Sequence, residues 1–399
     1  MKKLLLASAG LAASCGIAAA QDAGEDVKIG IILGYTGPLE SIVPNMTRGA
    51  ELAIAEVNAA GTFLGGRTVA AEQADSTCID AAAATAAAEG LVASGVDAFM
   101  GADCSGVTSA VLTNVAVPNG IGMISPSATS PGLSTAEDSG LFFRTAPSDA
   151  RQGVIISDIL ADRGVTEVAL TYTNNDYGKG LADSFTQAFT EAGGTVSITV
   201  PHEDGRADYS AEVASLAASG SEVLVVAGYS DQGGRGIIQN ALDTGAFETF
   251  YLPDGMVGQE LVTVIGDGLE TSYGAIPGVE NEGSARFQEM TQAEAEPFDG
   301  TSSFAPESYD AAALILLAMQ AAGSEASADW TPRVLDLANA PGEEILPGDL
   351  ARGLELVAAG TDIDYVGATA VELIGPGESA GNYREVEFSG GAIETIGFR

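Results

Sequence analysis

Two patterns alternate along the chain. Short, continuously apolar runs occur at Val27 to Leu33, 96–100, 121–124, 167–173, 222–227 and 248–252, and between them apolar residues recur every three or four positions. A short run without polar alternation predicts a parallel strand buried on both faces; the wider spacing predicts an amphipathic helix. A helix from about Asn45 to Ala59 puts Met46, Ala50, Ala53, Ile54 and Val57 on one face. Another over 178–192 does the same with Leu181, Phe185, Ala188, Phe189 and Ala192, and stops at Gly193-Gly194. A strand at 68–74 and helices at 79–94 and 106–116 complete a first series, which ends near Thr145-Ala146-Pro147. A second series opens with a helix at 148–163 and adds a strand at 195–200 and helices near 208–219 and 231–244. Helices at about 305–322, 331–339 and 347–358 follow, then short strands around Val371 to Ile374, Glu385 to Phe388 and Ile393 to Phe398. Alternation of this kind predicts the α/β class, and two similar series predict two doubly wound parallel-sheet lobes.

Composition narrows the function. With 55 acidic against 16 basic residues and one His in 399, the net charge is -39, which excludes a nucleic-acid partner, because such proteins need basic surface to neutralise phosphates. An apolar share of 46% also excludes a disordered acidic tail. The acidic excess is a device for solubility and says nothing about fold.

The first residues read as an export leader. Met1-Lys2-Lys3 is a positive start, Leu4 to Ala13 an apolar core, and Ala18-Ala19-Ala20 a small-residue cleavage pattern before Gln21. The expected signal peptide is 1–20 and the expected location periplasmic. Lipid anchoring at Cys15 is disfavoured, because the large aliphatic residue usual three positions earlier is missing. Cys78 and Cys104 remain; in an oxidising compartment they favour one disulfide over two separate buried thiols, closing a loop of about 25 residues worth about 3 kcal/mol. With His202 as the only His, no metal-ligand cluster is apparent, and neither a phosphate loop nor a nucleophile elbow occurs. The expectation is a non-enzyme without cofactor or metal.

In open α/β sheets, ligands sit beyond the carboxyl ends of the strands, against helix N-termini. Five loops meet that condition. Gly101 to Gly106 brings Ser105 to the start of a helix, and Ser125-Pro126-Ser127-Ala128-Thr129-Ser130 supplies a second group of donors. Asn174-Asn175-Asp176-Tyr177-Gly178 and Gly228-Tyr229-Ser230-Asp231 each offer a phenol, and Pro253-Asp254-Gly255 offers a carboxylate. Taken singly, these residues read equally well as helix caps and turns.

Their order carries a resemblance. The leader, the twin lobes, Gly37-Pro38, Val57-Asn58-Ala59-Ala60-Gly61, Cys78 and Cys104-Ser105-Gly106, Ile124 to Thr129, Asp176-Tyr177-Gly178 and Ser308-Tyr309-Asp310-Ala311 together resemble the type I periplasmic binding proteins of branched-chain amino-acid ABC transporters. The resemblance implies lobes of 27–147 plus 276–380 and of 148–275 plus 381–399, joined by a three-segment hinge around the ligand cleft. It also implies that Ser105 and Thr129 hold a ligand α-carboxylate through hydroxyls and amides. The α-ammonium would go to the Ser127 carbonyl and to Asp254, with Tyr177 and Tyr229 closing over the ligand and Tyr35 as an extra contact. The implied partners are a small zwitterionic ligand and inner-membrane permease and ATPase subunits, with the receptor a monomer.

Two departures bear on specificity. Asp254 stands where such proteins usually carry Glu, and Ile42 stands four residues after Pro38, where a Tyr often lines the side-chain pocket. Three rival readings remain: the same fold binding an amide, urea or aromatic acid; a ligand-sensing module for a membrane partner; and a hydrolase, which the shortage of nucleophile and base disfavours.

Overall fold

The computed structural model describes residues 25–399. The expected leader and Cys15 lie outside the described residues.

The described residues form sixteen strands: β1 Val27–Leu33, β2 Val69–Asp75, β3 Ala98–Gly101, β4 Gly122–Ser125, β5 Phe142–Pro147, β6 Glu167–Thr173, β7 Thr195–His202, β8 Val223–Ala227, β9 Thr249–Leu252, β10 Tyr273–Pro277, β11 Glu343–Ile345, β12 Ile363–Tyr365, β13 Leu373–Ile374, β14 Glu378–Ser379, β15 Tyr383–Ser389 and β16 Ala392–Phe398. They form two seven-stranded sheets, ordered β13-β14-β5-β4-β3-β1-β2 and β16-β15-β10-β9-β8-β6-β7, and a small β11-β12 pair. Within the first sheet β1 to β5 run parallel, and within the second β6 to β10 do. The alternation of apolar run and amphipathic helix thus yields two lobes of one design, each with an antiparallel addition at one edge.

The chain passes between sheets three times: after β5 into helix Asp149–Asp162, after β10, and between β14 and β15. The return expected at residue 276 falls within the last residues of β10, which pairs with β9 and β15 of the second sheet through Pro277. Helix Ala305–Ala322 is buried over most of its length and packs on helix Val43–Ala60 and on β3, β4 and β5. Its apolar run from Ala311 to Met319 is that of a core helix, and among the described residues no single helix is long and apolar enough to cross a membrane.

The hydrophobic pattern does not announce every element. β5 reads Phe-Phe-Arg-Thr-Ala-Pro, an apolar run broken by a charged residue that is itself buried. Helix Glu282–Ala293 buries Gly283, Phe287 and Thr291 on one face, of which only Phe287 is a large apolar residue, so its stripe is not apolar. The helix expected over 106–116 begins at Ser105 and widens into a π-turn at Leu112–Ala116, just before Pro118, which lacks the N–H a regular helix would send to Asn114.

Candidate functional site

The carboxyl ends of β3 and β4 form the first face of the cleft. Ser105 is the first residue of helix Ser105–Val111, and the Cys104 before it is disulfide-bonded to Cys78. The loop after β4 is pinned almost residue by residue. Ser125 Oγ donates to the Ala102 carbonyl at 2.6 Å and accepts from the Ala128 N–H at 3.0 Å. Ser127 Oγ donates to the Asp103 carbonyl at 2.9 Å, and the Ser130 N–H donates to Ser105 Oγ at 3.0 Å. The Thr129 carbonyl accepts from the Asp149 N–H at 2.8 Å. Ser105, Ser127 and Thr129 are buried, yet the N–H groups of Ser105 and Thr129 and the carbonyl of Ser127 make no hydrogen bond among the described residues. Buried backbone groups are nearly always paired, so these three mark where a polar guest belongs.

The second face comes from the ends of β6, β8 and β9. Tyr177, in the first turn of helix Asp176–Glu191, donates its hydroxyl to Asp254 Oδ1 at 2.7 Å and stacks on Tyr229 with ring centroids 5.1 Å apart. The Gly255 N–H also donates to Asp254 Oδ1, at 2.7 Å. Glycine is required there, because a Cβ on residue 255 would lie 2.6 Å from the Gly228 carbonyl oxygen and 2.9 Å from the Tyr177 hydroxyl. Among the described residues Asp254 Oδ2 has no hydrogen-bond partner, nor has either carboxylate oxygen of Asp149, nor either end of the Gln152 amide, although all three residues are buried.

Burial pushes the Asp254 carboxyl above its usual range, with Tyr177, Gln152 and the Gly255 N–H opposing the shift. It pushes Asp149 well above that range, and the neighbouring charge of Asp254 adds to the effect. The Thr129 hydroxyl and the Arg144 guanidinium lie near enough to Asp149 to ease this, but no hydrogen bond reaches its oxygens. Burial, followed by the charges of Asp254 and Asp149, also raises the Tyr177 phenol far above its ordinary value and keeps it a donor.

The two faces meet. Asp231 of the second lobe accepts from the Ser41 N–H at 2.8 Å and from Ser41 Oγ at 2.9 Å, while its own N–H donates to the Pro38 carbonyl at 3.1 Å. Ser303 Oγ donates to the Val257 carbonyl at 2.9 Å, and Ile42 lies against Gly258. The lobes are therefore closed on each other.

Of the residues singled out in the sequence, Ser105, Ser127, Thr129, Tyr177, Tyr229 and Asp254 line this junction, linked through Ser130 and Asp149. Tyr35 stands apart: its hydroxyl accepts from Thr47 within the first lobe, and burial raises its pKa to about 12. Asp149, Gln152 and Asp231 escape a reading of the sequence. Asp149 follows the cap Ser148 and looks like an ordinary first-turn acid, and Gln152 lies one turn further on the same helix. Asp231 carried a signal only as the end of the Gly228 to Asp231 loop.

Two α/β lobes of one design, joined by three crossings and held together by the Asp231–Ser41 and Ser303–Val257 contacts, have the architecture of a bilobal solute-binding protein. The chain belongs to the periplasmic binding protein family, whose model matches residues 26–334. It is 32% identical over 290 residues to the Leu/Ile/Val-binding protein homolog 3 of Brucella melitensis, covering 71% of this chain and 72% of that one. A leucine binding protein, LivK, of Thermotoga maritima shares the fold with a TM-score of 0.77 at 20% identity, over 93% of this chain and 98% of that one. An ABC-transporter solute binding protein of R. palustris in complex with benzoate does so with a TM-score of 0.73 at 20% identity, over 94% of this chain and 96% of that one. The family is one of substrate-binding transport proteins, and membership implies an extracytoplasmic location.

Proposed function

We propose that this protein captures a small α-amino acid with an aliphatic side chain in the periplasm and delivers it to an ABC importer. The ligand carboxylate accepts from the Ser105 and Thr129 N–H and hydroxyl groups. The ammonium donates to the Ser127 carbonyl and to Asp254 and Asp149, and Tyr177 and Tyr229 cover it. One observation carries the reading: unpaired buried N–H groups on one face oppose unpaired buried carboxylate oxygens on the other. With one proton kept by the buried Asp149–Asp254 pair, a zwitterion's single ammonium balances the remaining negative charge while its carboxylate meets the neutral donors.

An aliphatic ligand is favoured by the relatives' Leu/Ile/Val-binding names and by the buried Ile42 at the mouth of the cleft. The receptor performs no chemistry on its ligand. It is exported by a leader cleaved after Ala20, works as a monomer and hands its ligand to permease and ATPase subunits of the inner membrane. Ligand contacts to both lobes supply the preference for the closed state.

A thermal-melt screen over amino acids, short amides and aromatic acids tests the reading. At about 100 times its dissociation constant, the right ligand adds about 2.7 kcal/mol. Protection by leucine or valine is the expected result; protection by benzoate or an amide with none by any amino acid would overturn it. The aromatic-acid alternative has the benzoate-bound R. palustris structure in its favour, but such a ligand leaves Asp149 and Asp254 unmet.

A further inference from the structure

We propose that Arg144 is a positioning residue for ligand binding: its guanidinium grips two carbonyls of the loop after β4 and so aims the Thr129 N–H at the ligand carboxylate. This rests on the carboxylate assignment made above. Arg144 lies in β5 with its side chain only 1% exposed. One terminal nitrogen, Nη1, donates to the carbonyls of Ala128 and Ser130, both at 2.9 Å. The other, Nη2, donates to Ser134 Oγ at 2.7 Å and to Glu378 Oε2 at 2.5 Å.

The planarity of the peptide group turns this grip into aim. In a trans peptide the C=O and the following N–H point in opposite directions. Holding the Ala128 carbonyl toward Arg144 therefore turns the Thr129 N–H the other way, and it makes no hydrogen bond among the described residues. The next peptide obeys the same logic: the Thr129 carbonyl accepts from the Asp149 N–H, and the Ser130 N–H points oppositely, to Ser105 Oγ. The third, Ser130, is fixed again at its carbonyl by Arg144. A planar fork of donors can bridge two carbonyls, whereas a lysine ammonium on a flexible stem holds them poorly.

Glu378 decides what Arg144 is for. Its carboxylate pairs with the guanidinium, whose positive charge also reaches Asp149; what the grip adds to that charge is the fixed direction of the loop's dipoles. Preorganised donors of this kind avoid the ordering that a mobile loop would undergo on binding.

The test uses the mature protein and L-leucine. Arg144→Lys should weaken leucine binding about tenfold or more and shrink the ligand-induced shift of the Thr129 amide resonance. Glu378→Gln, which leaves the guanidinium on its carbonyls, should keep affinity within about twofold. Arg144→Lys with leucine affinity within twofold of wild type, or Glu378→Gln as damaging as Arg144→Lys, would overturn the proposal. If Arg144→Lys does not fold, the wild-type spectrum decides. The Ala128 carbonyl carbon should hold its position on leucine addition while the Thr129 amide moves; a carbonyl that moves with it contradicts a pre-aimed loop. Ser105→Ala separates the two claims. If it leaves leucine affinity intact, the carboxylate assignment falls, whereas a loss there with Arg144→Lys unaffected defeats the clamp alone.

Discussion

Two buried carboxylates show how differently the lobes prepare their faces of the cleft. Asp103, beside the first face, accepts from the Gly34 N–H at 2.9 Å and from Ser76 Oγ at 2.6 Å, so both of its oxygens are met. Asp149, at the edge of the second, is equally buried and has no partner on either oxygen. The first face is a finished hydrogen-bonded frame that leaves a few donors exposed to a guest. The second holds two buried acids, of which Asp254 Oδ2 and both Asp149 oxygens have no hydrogen-bond partner among the described residues, in a setting where an unpaired ion costs several kcal/mol and the protonated form is favoured. A bound cation would meet those oxygens. Ligand binding and second-lobe stability are thus one quantity, whereas the first lobe's geometry should exist without ligand.

The strongest challenge to this contrast is Asp254→Ala. Leucine affinity should fall at least about a hundredfold, or about 3 kcal/mol, by calorimetry, while the ligand-free protein should lose little stability, because removing a buried carboxyl with one oxygen unmet offsets the loss of its bonds from Tyr177 and Gly255. A comparable loss of ligand-free stability would mean that Asp254 holds the fold together instead.

Glu307 is the first lobe's exception, a buried carboxylate raised by burial to about 8 with Oε2 unpaired. The folded protein holds this proton more tightly than the unfolded chain does. Its contribution to stability is therefore complete below the ordinary carboxylate range and lost as pH rises to about 8. Glu307→Gln, which cannot ionise, should gain on wild type by about 4 kcal/mol between pH 4.5 and 8.5 in denaturant melts. A difference independent of pH would show that Glu307 is not buried as an acid.

Cutting the Cys78–Cys104 link should loosen the first face. The pair spans 26 residues and anchors the start of the Ser105 helix. Cys78→Ser with Cys104→Ser should lower unfolding stability by about 3 kcal/mol and weaken leucine binding as well. Unchanged affinity would mean that the Ser130–Ser105 bond suffices to hold that corner.

Smallest should be Asp231→Ala, which removes the clasp to Ser41 but leaves both faces intact. Leucine should leave about tenfold faster in stopped-flow, with little change in the association rate. A slower association with unchanged release would point to a role in ligand entry.

How much of this the sequence discloses follows from the range of the interactions. The strands β1, β6, β8 and β9 are legible because burial on both faces of a parallel sheet demands unbroken apolar runs, a local property. Ser105, Thr129, Tyr177 and Asp254 stand at strand ends, where loops converge, but their individual chemistry is that of any cap or turn. The resemblance, rather than spacing, set them apart. Asp149 and Arg144 were illegible for a plainer reason. Nothing local distinguishes an orphaned carboxylate from a first-turn acid, or a clamp from a stray charge in a strand, when the deciding partners come from Asp254 and Glu378, far along the chain. Tyr35, which its loop offered as an extra contact, accepts from Thr47 within the first lobe.

The central claim is that one face requires an anion and the other a cation on the same small molecule. Calorimetry with L-leucine, with 4-methylpentanoate, which lacks the ammonium, and with 3-methylbutylamine, which lacks the carboxylate, tests it directly. The account predicts that leucine saturates the site and that both truncated compounds bind at least about a hundredfold more weakly. If 4-methylpentanoate bound as tightly as leucine, the unpaired carboxylates of Asp149 and Asp254 would have no part in recognition, and the account would be wrong.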